Sequence, residues 1–195
     1  MDSAELGRLL VSKGMLKFGD FLLTSGKRSS IYVDLRPLPS FPDEFWLISK
    51  ELSRRIAKGE EGLCGVAVGG LPLATAVALL TSKPLVYVRK ERKEHGTMSR
   101  LEGMISRKTY IILDDVATTG GSLLRAVEAV REAGAEVREA WVIVDRLQGA
   151  RETLENVGVK LNSLATLPSV VRSVYEHLSE EERVYASKYL EEVGC

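Results

Sequence analysis

The sequence holds only two cysteines, Cys64 inside an apolar run and Cys195 at the last position. That spacing offers neither a disulfide framework nor a set of metal ligands, so cysteine-held metal is excluded and a reducing, cytoplasmic setting is expected. Excess charge is also lacking, since 27 basic residues face 27 acidic ones. No global field draws the chain to nucleic acid or to an anionic membrane, and any cationic function has to be local. The opening residues Met1-Asp2-Ser3-Ala4-Glu5 have no apolar secretory core, so no signal peptide is expected. The long uncharged stretch from Gly62 to Ser82 carries Gly69-Gly70-Leu71-Pro72 in its middle, where a membrane-spanning helix would break. Neither Gly-x-x-x-x-Gly-Lys-Ser/Thr nor Gly-x-Gly-x-x-Gly occurs around the most suggestive loop, which disfavours a triphosphate P-loop and a dinucleotide fold. Internal repeats and low-complexity segments are absent.

What is present centres on Tyr110 to Ser122, Tyr-Ile-Ile-Leu-Asp-Asp-Val-Ala-Thr-Thr-Gly-Gly-Ser. The apolar run Tyr110 to Leu113 reads as a buried central strand that stops at Asp114 and Asp115, the edge where an α/β sheet places its chemistry. Five small residues, Ala117 to Gly121, lead into a helical pattern carrying Leu123, Val127 and Val130. Small residues let backbone N–H groups converge on an anion, and the helix dipole adds roughly 0.3–1 kcal/mol of attraction. The carboxylates would repel a bare phosphate, so they should face hydroxyl donors or a divalent cation. A ribose phosphate meets both requirements.

The 195 residues suit one domain with a sizeable core. Leu6, Leu9 and Leu10 share one face of a short N-terminal helix that Asp2 can cap. Lys17 to Leu23 and Ile31 to Leu35 read as two strands joined by a polar turn. After Pro37, Pro39 and Pro42, Asp43 can cap a helix that turns Phe45, Ile48, Leu52 and Ile56 toward the core, and Trp46 is expected to pack. Strands at Leu63–Val68, Leu85–Val88, Val137–Val144 and Val159–Leu167 then alternate with helices at Pro72–Leu80, from Ser122 to Gly134, and from about Gly149 to Asn156. This alternation predicts an α/β fold with a central, mostly parallel sheet flanked by helices. Two closing helices follow, the second opening on a Ser179-x-x-Glu182 capping box.

Two further loops leave strand ends. Val68-Gly69-Gly70-Leu71-Pro72 exposes backbone N–H groups at a helix start, with Pro72 suited to the first helical position, and makes a second candidate anion site. Arg89-Lys90-Glu91-Arg92-Lys93-Glu94-His95-Gly96 begins a stretch, running to Gly103, that is too polar to pack on a core and suited to closing over a polyanion.

The strand, Asp-Asp and Thr-Thr-Gly-Gly-Ser run resembles the phosphoribosyl-pyrophosphate (PRPP) motif of type I phosphoribosyltransferases. The Arg89-Lys90-x-x-Lys93-x-His95-Gly96 pattern is similar to the mobile catalytic loop of the orotate phosphoribosyltransferases within them. Leu16 to Phe21 with Ser25-Gly26-Lys27 resembles that family's small N-terminal hood, and Asp145-Arg146 is similar to its Asp-Arg pair whose arginine contacts orotate. The likeness covers nearly the whole chain and implies a single phosphoribosyltransferase domain over 1–195, with a hood over about 1–40, an α/β core over 60–167 and closing helices over 168–195.

The resemblance implies transfer of ribose 5-phosphate from PRPP to N1 of orotate, giving orotidine 5′-monophosphate and pyrophosphate with Mg²⁺, in de novo pyrimidine (UMP) biosynthesis. It assigns catalytic roles to Lys93, His95, Asp114 and Asp115. Arg89, Lys90, Lys93 and His95 would hold pyrophosphate; Asp114 and Asp115 the ribose hydroxyls. Val116, Ala117, Thr118, Thr119, Gly120, Gly121 and Ser122 would bind the rest of PRPP, chiefly its 5′-phosphate. Thr118, Arg146 and Lys27 would meet orotate. No protein ligand of Mg²⁺ is named. A homodimer sharing the mobile loop across subunits is implied, with no nucleic-acid or membrane partner. Thr24 and Val68-Gly69 stand where many bacterial members carry lysine, which shifts pyrophosphate binding toward backbone groups and the mobile loop, with Lys27 available to replace one contact. The same chemistry on a purine base and a non-catalytic PRPP-binding regulator are the competing readings; the hood sequence and Arg146 argue against the first, the zero net charge against the second.

Overall fold

The computed structural model describes residues 1–22, 28–56, 58–90 and 100–194. Lys27, Lys93, His95 and Thr24 lie outside the described residues.

The predicted alternation of strands and helices is present. Strands β3 (Gly62–Val66), β4 (Leu85–Val88), β5 (Leu101–Glu102), β6 (Thr109–Ala117), β7 (Glu136–Asp145) and β8 (Lys160–Thr166) form one sheet in the order β5-β4-β3-β6-β7-β8. All neighbours pair in parallel except β4 with β5. On β6 the side chains alternate between two buried clusters. Ile111 and Leu113 join one with Leu63, Leu73, Val77 and Ile143; Tyr110 and Ile112 join the other with Cys64, Val86, Leu123, Val127 and Val142. Both faces are therefore dry, which is why β6 reads as a continuous apolar run.

Helix α3 (Gly70–Thr81) packs on β3 and β6, with α2 (Pro42–Ile56) outside it; α4 (Gly121–Glu132) covers β6 and β7, and α5 (Ala150–Glu155) packs on β8. The N-terminal strands β1 (Leu16–Leu22) and β2 (Arg28–Val33) form a separate antiparallel pair, held by α7 (Glu180–Glu192). Met15, Leu16 and Ile31 share a buried cluster with Leu63 and Leu113, so the hairpin is anchored in the same core as the sheet. Helix α1 (Ser3–Ser12) packs on α6 (Leu167–Val174). Both expected caps form: the Glu5 N–H donates to Asp2 Oδ1 at 2.8 Å, and Ser179 and Glu182 make the reciprocal capping box. Among the described residues no helix is long and apolar enough to cross a membrane.

Several boundaries differ from expectation, each for a tertiary reason. β6 does not stop at the aspartates but continues to Ala117, because β7 goes on pairing with it through Val116↔Val144 and Ala117↔Asp145. Strand β3 ends at Val66, and Val68 is 80% exposed. Helix α3 starts at Gly70, so Pro72 is its third residue, still among the N–H groups that have no helical partner to lose. Asp43 does not precede α2 but sits in its first turn behind Pro42. Trp46 is 55% exposed, since it lies about 200° around the helix from Ile48 and off the stripe that Ile48, Leu52 and Ile56 bury. The polar stretch after Arg89 ends in β5, whose Leu101 packs on the second buried cluster.

Candidate active site

Three loops meet at the C-terminal edge of the sheet: β3 to α3, β6 to α4, and β7 to α5. The first is shaped by close approach. Gly69 has ordinary right-handed backbone angles, so conformational freedom does not explain it. A β-carbon there would lie 2.7 Å from Cγ of Asp115, and one on Gly70 would lie 2.6 Å from both the Leu113 carbonyl oxygen and the Asp114 Cα. The glycine pair lets the start of α3 seat directly against the acidic pair.

Asp114 is 5% exposed, and its carboxylate accepts from the Asp115 N–H (2.9 Å) and from Ser122 Oγ (3.2 Å). Burial, and then repulsion from Asp115, raise its pKa well above the ordinary carboxylate range, with the Ser122 hydroxyl pulling the other way. Asp115 is half-buried and accepts from the Val116 N–H at 2.8 Å. The two carboxylates of one strand thus occupy different environments, one buried and one facing the opening.

The loop after β6 turns at Gly120, whose φ of 85° favours glycine. A β-carbon there would also press within 3.0 Å of Ala150 Cα, and Thr153 Oγ1 donates to the Thr119 carbonyl at 2.8 Å. The first turn of α5 therefore buttresses the loop from behind. Its front offers Thr118, Thr119, Gly121 and Ser122, partly or fully exposed, at the start of α4.

The third loop carries Arg146. Its N–H donates to the Ala117 carbonyl (3.0 Å), tying it to the β6 loop. Asp145 is fully buried and holds the turn, accepting from the Leu147 N–H (2.9 Å) and from Arg151 Nε (2.6 Å). Arg146 itself is 9% exposed, and its Nε has no hydrogen-bond partner. Burial lowers the pKa of this guanidinium. A nearly buried cation with an unused donor is suited to pairing with an anionic or carbonyl edge.

On the far side, Arg89 and Lys90 follow β4 and are exposed. The Arg89 N–H donates to the Arg100 carbonyl at 3.0 Å, and its Nη1 lies 3.5 Å from Glu102 Oε1. Together with Val66, Ser122 and Arg125 they line a cavity of roughly 200 Å³. Among the described residues no group of three or more His, Cys, Asp and Glu side chains is placed to hold a metal ion. The acidic pair nevertheless supplies carboxylate oxygens beside an open face, a donor set that suits Mg²⁺ completed by substrate oxygens and water.

Residues 47–167 match the phosphoribosyl transferase domain family. The orotate phosphoribosyltransferase of Sulfolobus acidocaldarius is 44% identical over 188 residues, covering 94% of each chain. The chain belongs to the orotate phosphoribosyltransferase family. The crystal structure of the Aeropyrum pernix orotate phosphoribosyltransferase superposes with a TM-score of 0.80 at 42% identity, covering 87% of this chain and 97% of that one. The Mycobacterium tuberculosis enzyme crystallised with 5-phospho-α-D-ribosyl 1-diphosphate gives a TM-score of 0.70 at 29% identity, over 87% and 99% of the two chains.

Of the residues that the family resemblance picks out, Asp114 to Ser122, Arg146, Arg89 and Lys90 all stand at the C-terminal edge of this one sheet. Lys27, Lys93 and His95 are outside the described residues. Sequence reasoning passed over Arg151, Glu102 and Arg125. Arg125 stands four residues after Gly121, at helical spacing; Arg151 meets Asp145 only six positions earlier, across the turn from β7 to α5, whereas Glu102 reaches Arg89 only because β5 pairs with β4.

Proposed function

We propose that this protein transfers ribose 5-phosphate from PRPP to N1 of orotate, releasing pyrophosphate and forming orotidine 5′-monophosphate in the pyrimidine pathway. The observation that carries this reading is the seating of the Gly69-Gly70 turn directly against Asp114 and Asp115, with an uncharged small-residue loop on one side and the nearly buried Arg146 next to it. Such an edge receives a sugar phosphate between two N–H-rich loops, and a planar anionic base beside it.

In this reading Asp114 and Asp115 accept hydrogen bonds from the ribose hydroxyls. They also favour the positive charge that develops at C1′ as its bond to pyrophosphate lengthens. Residues Ala117 to Ser122 bind the 5′-phosphate through backbone N–H groups. Arg146 fixes the orotate edge, joined by Thr118 and Lys27. Arg89, Lys90, Lys93 and His95 hold the leaving pyrophosphate, Lys93 supplying the charge that matters most as the bond breaks. Mg²⁺, when bound with PRPP, neutralises phosphate charge, with Asp114 and Asp115 the carboxylates available to it.

The working unit is read as one domain and as a cytoplasmic homodimer in which Lys93 serves the neighbouring subunit's site. Supporting the dimer, Trp46 on α2 and Leu79 on α3 leave large apolar side chains exposed on two helices that pack together. Full activity from a monomer at high dilution would refute the shared site. The reaction itself is tested by following orotate absorbance with PRPP and Mg²⁺. Orotate is consumed and orotidine 5′-monophosphate appears; a folded sample without turnover, or one that prefers a purine base, overturns the reading.

A further inference from the structure

The loop proposed to cradle the 5′-phosphate has no cation of its own. Val116 to Ser122 are all uncharged, and the residues immediately before them are Asp114 and Asp115. A phosphate dianion placed there sits close to two carboxylates, so a nearby positive side chain would change its affinity substantially. Arg125 is placed to be that side chain. It follows Gly121 by four residues on α4, so the two share a helix face, and side chains on a helix lean toward its N-terminus. The structure shows this lean: a β-carbon on Gly121 would lie 3.5 Å from Arg125 Nη1. Arg125 is half-buried, lines the 200 Å³ cavity together with Ser122, and makes no ion pair among the described residues. Arg89 and Lys90 line the same cavity but are assigned above to pyrophosphate, and Arg89 Nη1 lies 3.5 Å from Glu102 Oε1.

We infer that Arg125 is a binding residue for the 5′-phosphate of the donor, adding a charge-assisted contact to a loop that otherwise offers only backbone and hydroxyl groups. The inference rests on the phosphoribosyl reading above and goes beyond it in assigning a side chain outside the Asp114 to Ser122 motif. A guanidinium suits the role because its planar fork can meet two phosphate oxygens at once.

Calorimetric titration of ribose 5-phosphate and, separately, of pyrophosphate into wild-type protein, Arg125→Gln and Arg125→Lys tests it. Arg125→Gln should weaken ribose 5-phosphate binding about ten- to a hundredfold, with Arg125→Lys intermediate and pyrophosphate affinity unmoved. Equal ribose 5-phosphate affinity in wild type and Arg125→Gln would overturn the assignment. So would a loss confined to pyrophosphate, which would place Arg125 at the other end of the donor. A wild-type protein that binds neither PRPP nor ribose 5-phosphate would instead overturn the phosphoribosyl reading, and this inference with it.

Discussion

Gly70 lies so close to Asp114 that a β-carbon on it would stand 2.6 Å from the Asp114 Cα. The clash is with backbone, and the Leu113 carbonyl is equally near, so no rotamer change relieves it. Gly70→Ala should destabilise the protein by about 1–3 kcal/mol through overpacking. Gly69→Ala differs, because it meets the Asp115 carboxyl, a side chain that can rotate away. It should keep its fold and lose PRPP affinity. Thermal melts with PRPP titrations separate the two variants, and a Gly70→Ala protein as stable as wild type would contradict the packing account.

Asp114 is held in a setting that favours its protonated form. Its folded pKa lies above the unfolded value, so between the two the native state binds more protons and stability falls as pH rises. Asp114→Asn should therefore gain on wild type as pH climbs from the ordinary carboxylate range to the raised value, then keep a constant advantage. Each 1 kcal/mol would appear as about 2–4 °C in Tm. Above that raised value, where wild-type Asp114 is ionised, the same variant should bind PRPP about ten- to a hundredfold less tightly, having lost a charged acceptor. Melting curves across pH that run parallel for the two proteins would contradict the burial argument.

Arg151 supports a site it does not enter. Its Nε meets the fully buried Asp145 at 2.6 Å, and Asp145 in turn holds the Leu147 N–H just beyond Arg146. Arg151→Ala should cost about 1–3 kcal/mol by stranding a buried carboxylate. Because the loosened turn carries Arg146, KM for orotate should rise more than KM for PRPP. Equal changes in both constants would show that the turn does not transmit the defect.

The family resemblance assigns the leaving-group role to Lys93. Lys93→Ala should lower kcat by about 10²–10³-fold, the usual cost of one preorganised charge donor, with no change in melting temperature. Turnover near the wild-type rate would remove Lys93 from the mechanism.

The sequence by itself determined whatever depends on neighbours along the chain. The alternation of apolar runs with helical patterns gave the sheet and its covering helices, and Asp2 and Ser179 cap where their side chains reach backbone N–H groups three residues on. The run Asp114 to Ser122 raised the expectation of a ribose-phosphate grip, since a strand, two carboxylates and a small-residue loop are contiguous. Only the tertiary structure decided what depends on strand order. With β3 beside β6, Gly69 and Gly70 come against Asp114 and Asp115, some 45 positions later in the chain. Pairing with β7 carries β6 past its carboxylates to Ala117, and antiparallel pairing with β4 makes a strand of Leu101-Glu102. Trp46 remains exposed because core geometry, not hydrophobicity, chooses which face of α2 is buried. A glycine pair in a sequence permits either a free turn or a close approach; its right-handed backbone and the carboxylates packed against it make this one a close approach.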